Sequence, residues 1–183
     1  MASARAIGWN TCKRSWSEVE DVITELESLC GRGVICVQEV PRWGADLGAD
    51  SAYRINVNPN DSNQVSSLIA DFVSENKFDL ILMGKESTDF NSGIVHHLVG
   101  SKVKYNSLSP VSSLSIVDNT TVEVNLEKKS SIEKIQVSTP VILGCQEPIA
   151  DWKIPNMRGI MKARSKEINT VSYTHLTLPT MMS

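Results

Sequence analysis

The stretch Phe78–Gly93 constrains this chain more than any other. Leu80, Ile81, Leu82 and Met83 form an unbroken apolar run of strand length, the pattern of a strand covered on both faces of a sheet. Gly84 follows at once, and Lys85, Glu86, Ser87, Thr88, Asp89, Asn91, Ser92 and Gly93 make a polar loop bounded by glycines. Apolar residues then recur at helical spacing at Ile94, Val95, Leu98 and Val99. Strand, glycine-bearing loop and helix, in that order, is how an open α/β sheet presents a ligand site at the carboxyl ends of its strands. The first amides of the following helix lack an intrahelical acceptor and favour an anion. The stretch therefore predicts a loop that holds a phosphate or a nucleotide after a central strand. An ordinary strand-to-helix connection fits the pattern equally well, because it is neither a P-loop nor a GxGxxG fingerprint.

The 183 residues suffice for one domain with a sizeable core. A net charge of -3 gives no footprint for nucleic acid. No apolar run approaches the ~20 residues that span a bilayer, so no membrane is expected. Met1–Ala6 is not followed by the apolar core of a secretory signal. Cys12, Cys30, Cys36 and Cys145 are scattered without a CxxC pair, which fits reduced thiols in a cytoplasmic compartment and gives no metal-ligand spacing.

Upstream, Arg5–Trp9 predicts a short strand. Ser15 and Glu18 make a capping box, and Trp16, Val19, Ile23, Leu26 and Cys30 share one helical face that Gly31 closes. Val34–Val37 predicts a second strand, ending at Gln38-Glu39 and Pro41. Tyr53–Val57 predicts a third, followed by turn chemistry at Asn58-Pro59-Asn60. Asp61 caps a helix whose buried face is Val65, Leu68, Ile69, Phe72 and Val73, and this unit delivers the chain into Leu80. Beyond Gly100, Ser113–Val117, Thr121–Leu126, Ile132–Val137 and Val141–Cys145 predict strands, with turns at Asp118-Asn119 and Lys128–Ser131. They suggest a small antiparallel patch after the parallel part. In Asp151–Arg164, Pro155 suits a first helical turn, and Lys162 and Arg164 suit a helix end.

Three segments together resemble the electron transfer flavoprotein beta subunit family. They are Gly48-Ala49-Asp50 before a strand, Asp79–Asp89 as the DLxxxGKxxxD loop, and Ile154–Arg164 as the (L/I)PN(I/M)xxIMxA(K/R) segment. Glu133-x-Ile135 followed by Thr139–Ile142 fits the strand before that last segment. The resemblance spans residues 45–171. It implies an α/β, parallel-sheet, adenine-nucleotide-binding (Rossmann-like) fold with a small antiparallel β patch. It implies AMP held by Gly84, Lys85, Glu86, Ser87, Thr88, Asp89, Asn91, Ser92 and Gly93. It also implies an alpha subunit holding most of the FAD, and electrons accepted from flavin-dependent dehydrogenases such as acyl-CoA dehydrogenases. Ile154, Pro155, Asn156, Met157, Ile160, Met161 and Lys162 would dock on the dehydrogenase, with Ile154 as apolar anchor. Such a subunit carries no catalytic residue of its own. Two features depart from the family: Glu127–Ser131 replaces its basic, acidic and glycine-rich turn, and the loop is shorter around Phe90-Asn91.

The ends look foreign to that family, as a βαβ head over 1–44 and an unstructured tail over 172–183. Asn10 and Gln38-Glu39 resemble the strand ends of the endonuclease/exonuclease/phosphatase family, in which Asn10 and Glu39 would help hold Mg²⁺. The later Asp and His residues of that site have no matching segment. A nucleotide-binding regulatory domain is a third possibility. Among single residues, His96 and His97 are expected as surface or satisfied helix residues, Lys85 as phosphate-facing or solvated, and Cys145 as core.

Overall fold

The computed structural model describes residues 5–8, 34–38, 51–55, 61–86, 91–146, 149, 157, 161 and 168–171. Its elements are β1 (Arg5–Gly8), β2 (Val34–Gln38), β3 (Ser51–Ile55), α1 (Ser62–Asn76), β4 (Leu80–Gly84), α2 (Val95–Val103), β5 (Asn106–Asp118), β6 (Thr121–Lys128), β7 (Ser131–Ser138), β8 (Val141–Cys145) and β9 (Ile168–Val171). The protein is an α/β fold built on one mixed sheet, ordered β7-β6-β5-β8-β4-β2-β1-β3-β9. From β9 to β5 every neighbouring pair is parallel. β6 and β7 extend the sheet antiparallel.

The apolar run that opens at Leu80 sits where such a run must, inside the parallel part. Successive side chains of a strand point to opposite faces. Leu80 and Leu82 join Val141 and Leu143 on one face, packed with Val111, Val122 and Val124 of the hairpins. Ile81, Met83 and Ile142 face the other way, against Leu68, Ile69, Phe72 and Val73 of α1 and Val99 of α2. α1 begins where its sequence directs: Asp61 accepts the Gln64 N–H at 2.7 Å and caps the helix.

Four expectations change. β3 starts two residues earlier than its β-branched residues suggest, because Ser51 and Ala52 pair in register with Arg5 and Ala6. β5 starts at Asn106 rather than Ser113: its first residues pair parallel with β8 and its later ones antiparallel with β6. Pro110, which lacks an N–H, stands at that change of partner. β8 does not belong to the antiparallel patch; it lies between β4 and β5, parallel to both, and is nearly all buried. Finally, α2 buries His96, Val99 and Gly100, while Ile94 is exposed. The helix is thus turned from the face its apolar residues suggest. Gly100 lets it approach closely, since a Cβ there would lie 2.9 Å from the Ser107 Cβ. The expected helix over Ser15–Cys30 and the tail lie outside the described residues.

Candidate functional site

The site is set by topology before any side chain is considered. The chain leaves β2 toward β3 on one side of the sheet and leaves β4 toward β5 on the other. The carboxyl ends of the adjacent strands β2 and β4 therefore form a switch point, where open α/β sheets bind ligands. The loop that begins at Gly84 leaves the sheet at this point.

Both ends of the loop are fixed. At its start, the Lys85 N–H donates to the Cys145 carbonyl at 3.0 Å, extending the β4–β8 ladder by one bond. At its end, the Ser92 and Ser62 hydroxyls meet at 3.1 Å, tying the loop to the first residue of α1. Asn91 takes a left-handed conformation (φ 48°), which short polar residues tolerate. Gly84, Glu86, Asn91 and Gly93 are exposed, and Lys85 and Ser92 are half-buried. α2 follows with Ile94 at its N-cap and no side-chain acceptor for its first amides. A carboxylate or hydroxyl at that position would compete with an anion; an isoleucine does not. Ser87, Thr88 and Asp89 lie outside the described residues.

Lys85 does not stand free. Its ammonium donates to Gln146 Oε1 at 3.2 Å and pairs with Glu86 at 3.3 Å. His96 departs from the expected surface or satisfied role. It is 2% exposed and its Nε2 has no hydrogen-bond partner. Burial, with His97 alongside, lowers its pKa to about 4, so the ring is neutral. His97 is exposed and shares a 3.0 Å hydrogen bond with the Ser107 hydroxyl. Cys145 is half-buried against the core, and burial pushes its thiol up to about 12.

The remaining candidates divide as follows. Met157 and Met161 are each helical and exposed (74% and 68%). Ile154, Pro155, Asn156, Ile160 and Lys162 lie outside the described residues, as do Asn10 and Glu39. Among the described residues no group of three His, Cys, Asp or Glu side chains could hold a metal ion. No described helix is long and apolar enough to cross a membrane. His96 is the residue that pattern reasoning missed. Its signal was the spacing to Val99, Gly100 and Val103, a helix face with a glycine on it.

Fold and site together define an α/β protein with a polar, glycine-bounded loop at a switch point of a largely parallel sheet. The electron transfer flavoprotein domain family matches residues 37–176, most of the chain, and the chain belongs to that family. It is 26% identical over 141 residues to the electron transfer flavoprotein subunit beta of Bacillus subtilis, covering 75% of this chain and 54% of that protein. It is 22% identical over 170 residues to the subunit beta of Dictyostelium discoideum, covering 88% of this chain and 68% of that protein. The chain is thus a partial, beta-subunit-like member, spanning about half the length of the Bacillus relative.

Proposed function

We propose that this chain serves as the nucleotide-holding part of an electron carrier of the beta-subunit type. The observation that supports this best is the loop from Gly84 to Gly93, which opens at the β2/β4 switch point in a chain matched by the family over residues 37–176. The fold is read as Rossmann-like, with AMP as a structural ligand. Its phosphate would meet backbone amides of the loop and the first turn of α2, which Ile94 leaves without a side-chain cap. Gly84, Lys85, Glu86, Ser87, Thr88, Asp89, Asn91, Ser92 and Gly93 would form or position that cradle. The described ends fit such a ligand: they are exposed at the mouth and pinned at the base.

The redox chemistry belongs to FAD, which an alpha subunit would hold, and this chain would supply placement and environment. It would act as a carrier, with no catalytic residue of its own, in a reducing compartment. The exposed pair Met157 and Met161, with Ile154, Pro155, Asn156, Ile160 and Lys162, would meet flavin-dependent dehydrogenases such as acyl-CoA dehydrogenases. Co-expression with an electron transfer flavoprotein alpha subunit tests this. The two chains are expected to co-purify with flavin absorbance and to bleach when an acyl-CoA dehydrogenase and its substrate are added. Two chains that elute apart, with no flavin, would contradict it.

A further inference from the structure

The carboxyl edge of the sheet carries a chain of side-chain bonds that the proposed nucleotide does not explain. Lys85, the second residue of the loop region, donates to Gln146 Oε1 at 3.2 Å, and Gln146 Nε2 donates to Glu127 Oε2 at 2.5 Å. Each end of the Gln146 amide is assigned by chemistry, because an ammonium only donates and a carboxylate only accepts. Lys85, Gln146 and Glu127 are all half-buried, which strengthens charge-assisted bonds relative to bulk water. Two main-chain bonds brace the same line: the Lys85 N–H to the Cys145 carbonyl at 3.0 Å, and the Gln146 N–H to the Val111 carbonyl at 2.7 Å. The chain therefore runs from the end of β4, past the end of β8, to the end of β6. Along the sheet it leads away from β2, and so away from the switch point.

Charge reinforces the geometry. The Lys85 ammonium is flanked by Glu86 at 3.3 Å and, through Gln146, by Glu127. Among the described residues, two carboxylates stand against one ammonium at this corner, which makes it a poor seat for a phosphate. Two of the three donors of the ammonium are directed at Gln146 and Glu86, which holds its position at the base of the loop. From this we infer that Lys85 is a positioning residue. It latches the start of the loop to the antiparallel extension through Gln146 and Glu127, and the phosphate is left to backbone amides. The inference rests on the adenylate reading above and deepens it: Gln146 and Glu127, with no place at the switch point, set how well the loop is formed.

The test compares AMP with adenosine, by calorimetric titration of the full chain. Gln146→Leu removes both side-chain bonds of the bridge and keeps the lysine's charge. Lys85→Met removes the charge. A latch misplaces the whole loop when broken, so both variants are expected to weaken AMP and adenosine by the same factor, about five- to tenfold. The double variant Gln146→Glu with Glu127→Gln keeps every bond and the net charge with donor and acceptor exchanged, and is expected to restore binding. Thermal melts of the variants are expected to stay near wild type, since these side chains lie outside the core. The inference is overturned if Lys85→Met weakens AMP but not adenosine, the mark of a direct phosphate contact. It is overturned equally if Gln146→Leu binds both like wild type, or if the exchanged pair fails while retaining the wild-type melt. A wild-type chain that binds neither nucleotide overturns the adenylate reading itself, and this one with it.

Discussion

Gly144 sits in a tight joint near the site, between Ser109 and His96. A Cβ on Gly144 would lie 2.5 Å from Ser109 Oγ and 3.0 Å from His96 Nε2. The ring is therefore packed against bare backbone, and the first turn of α2 is held close to β8. Gly144→Ala is expected to cost about 1–3 kcal/mol in urea unfolding, partly recovered by Ser109→Gly. An alanine variant as stable as wild type would show that the joint is loose. His96 also sets a pH dependence. Its folded pKa of about 4 lies below the ordinary 6.5, so the folded state refuses a proton that the unfolded chain accepts. Above 6.5 both states are neutral and titration of His96 changes nothing. As pH falls from 6.5 toward 4, stability drops by an amount on the order of 2–3 kcal/mol. In His96→Leu, which also removes the orphaned nitrogen, that part of the decline is expected to vanish between pH ~7 and ~4.5. An unchanged decline would assign it to other groups.

Elements with strong local signals could be read from sequence. The α1 cap at Asp61 and the core residues Leu68, Ile69, Phe72 and Val73 came directly from residue type and spacing. Asp61→Ala is expected to lower stability by about 1 kcal/mol in the same unfolding assay, and no change would mean that water replaces the cap. β4 was legible because an apolar run has one place in such a sheet. β8 was not: five apolar-rich residues after two hairpins look like a third hairpin strand. Only the sheet order reveals that Val141–Cys145 returns to pair with β4. β5 was expected only from Ser113, because a strand with a proline inside it, Pro110, that changes partner midway has no pattern of its own. The face of α2 was misjudged because a histidine was not counted as core. Loop position, by contrast, was legible from Gly84 onward, since strand, glycine and helix fix it together. The Lys85–Gln146–Glu127 chain had no sequence signal, because its members lie far apart along the chain.

For the whole molecule, the sheet divides its labour. The parallel strands place the loop at the switch point, and the antiparallel extension braces it through β8 and β6. Met157 and Met161 are both exposed. If they meet a dehydrogenase, Met157→Glu with Met161→Glu is expected to slow electron transfer tenfold or more, with flavin content unchanged. A rate equal to wild type would remove these residues from the interface.

The central claim is the place where the nucleotide sits, and AMP titration followed by backbone amide NMR of the full chain tests it most directly. The amides of Gly84–Glu86 and of Asn91–His96 are expected to shift together and saturate. Saturable shifts elsewhere on the sheet, with those amides still, would contradict it.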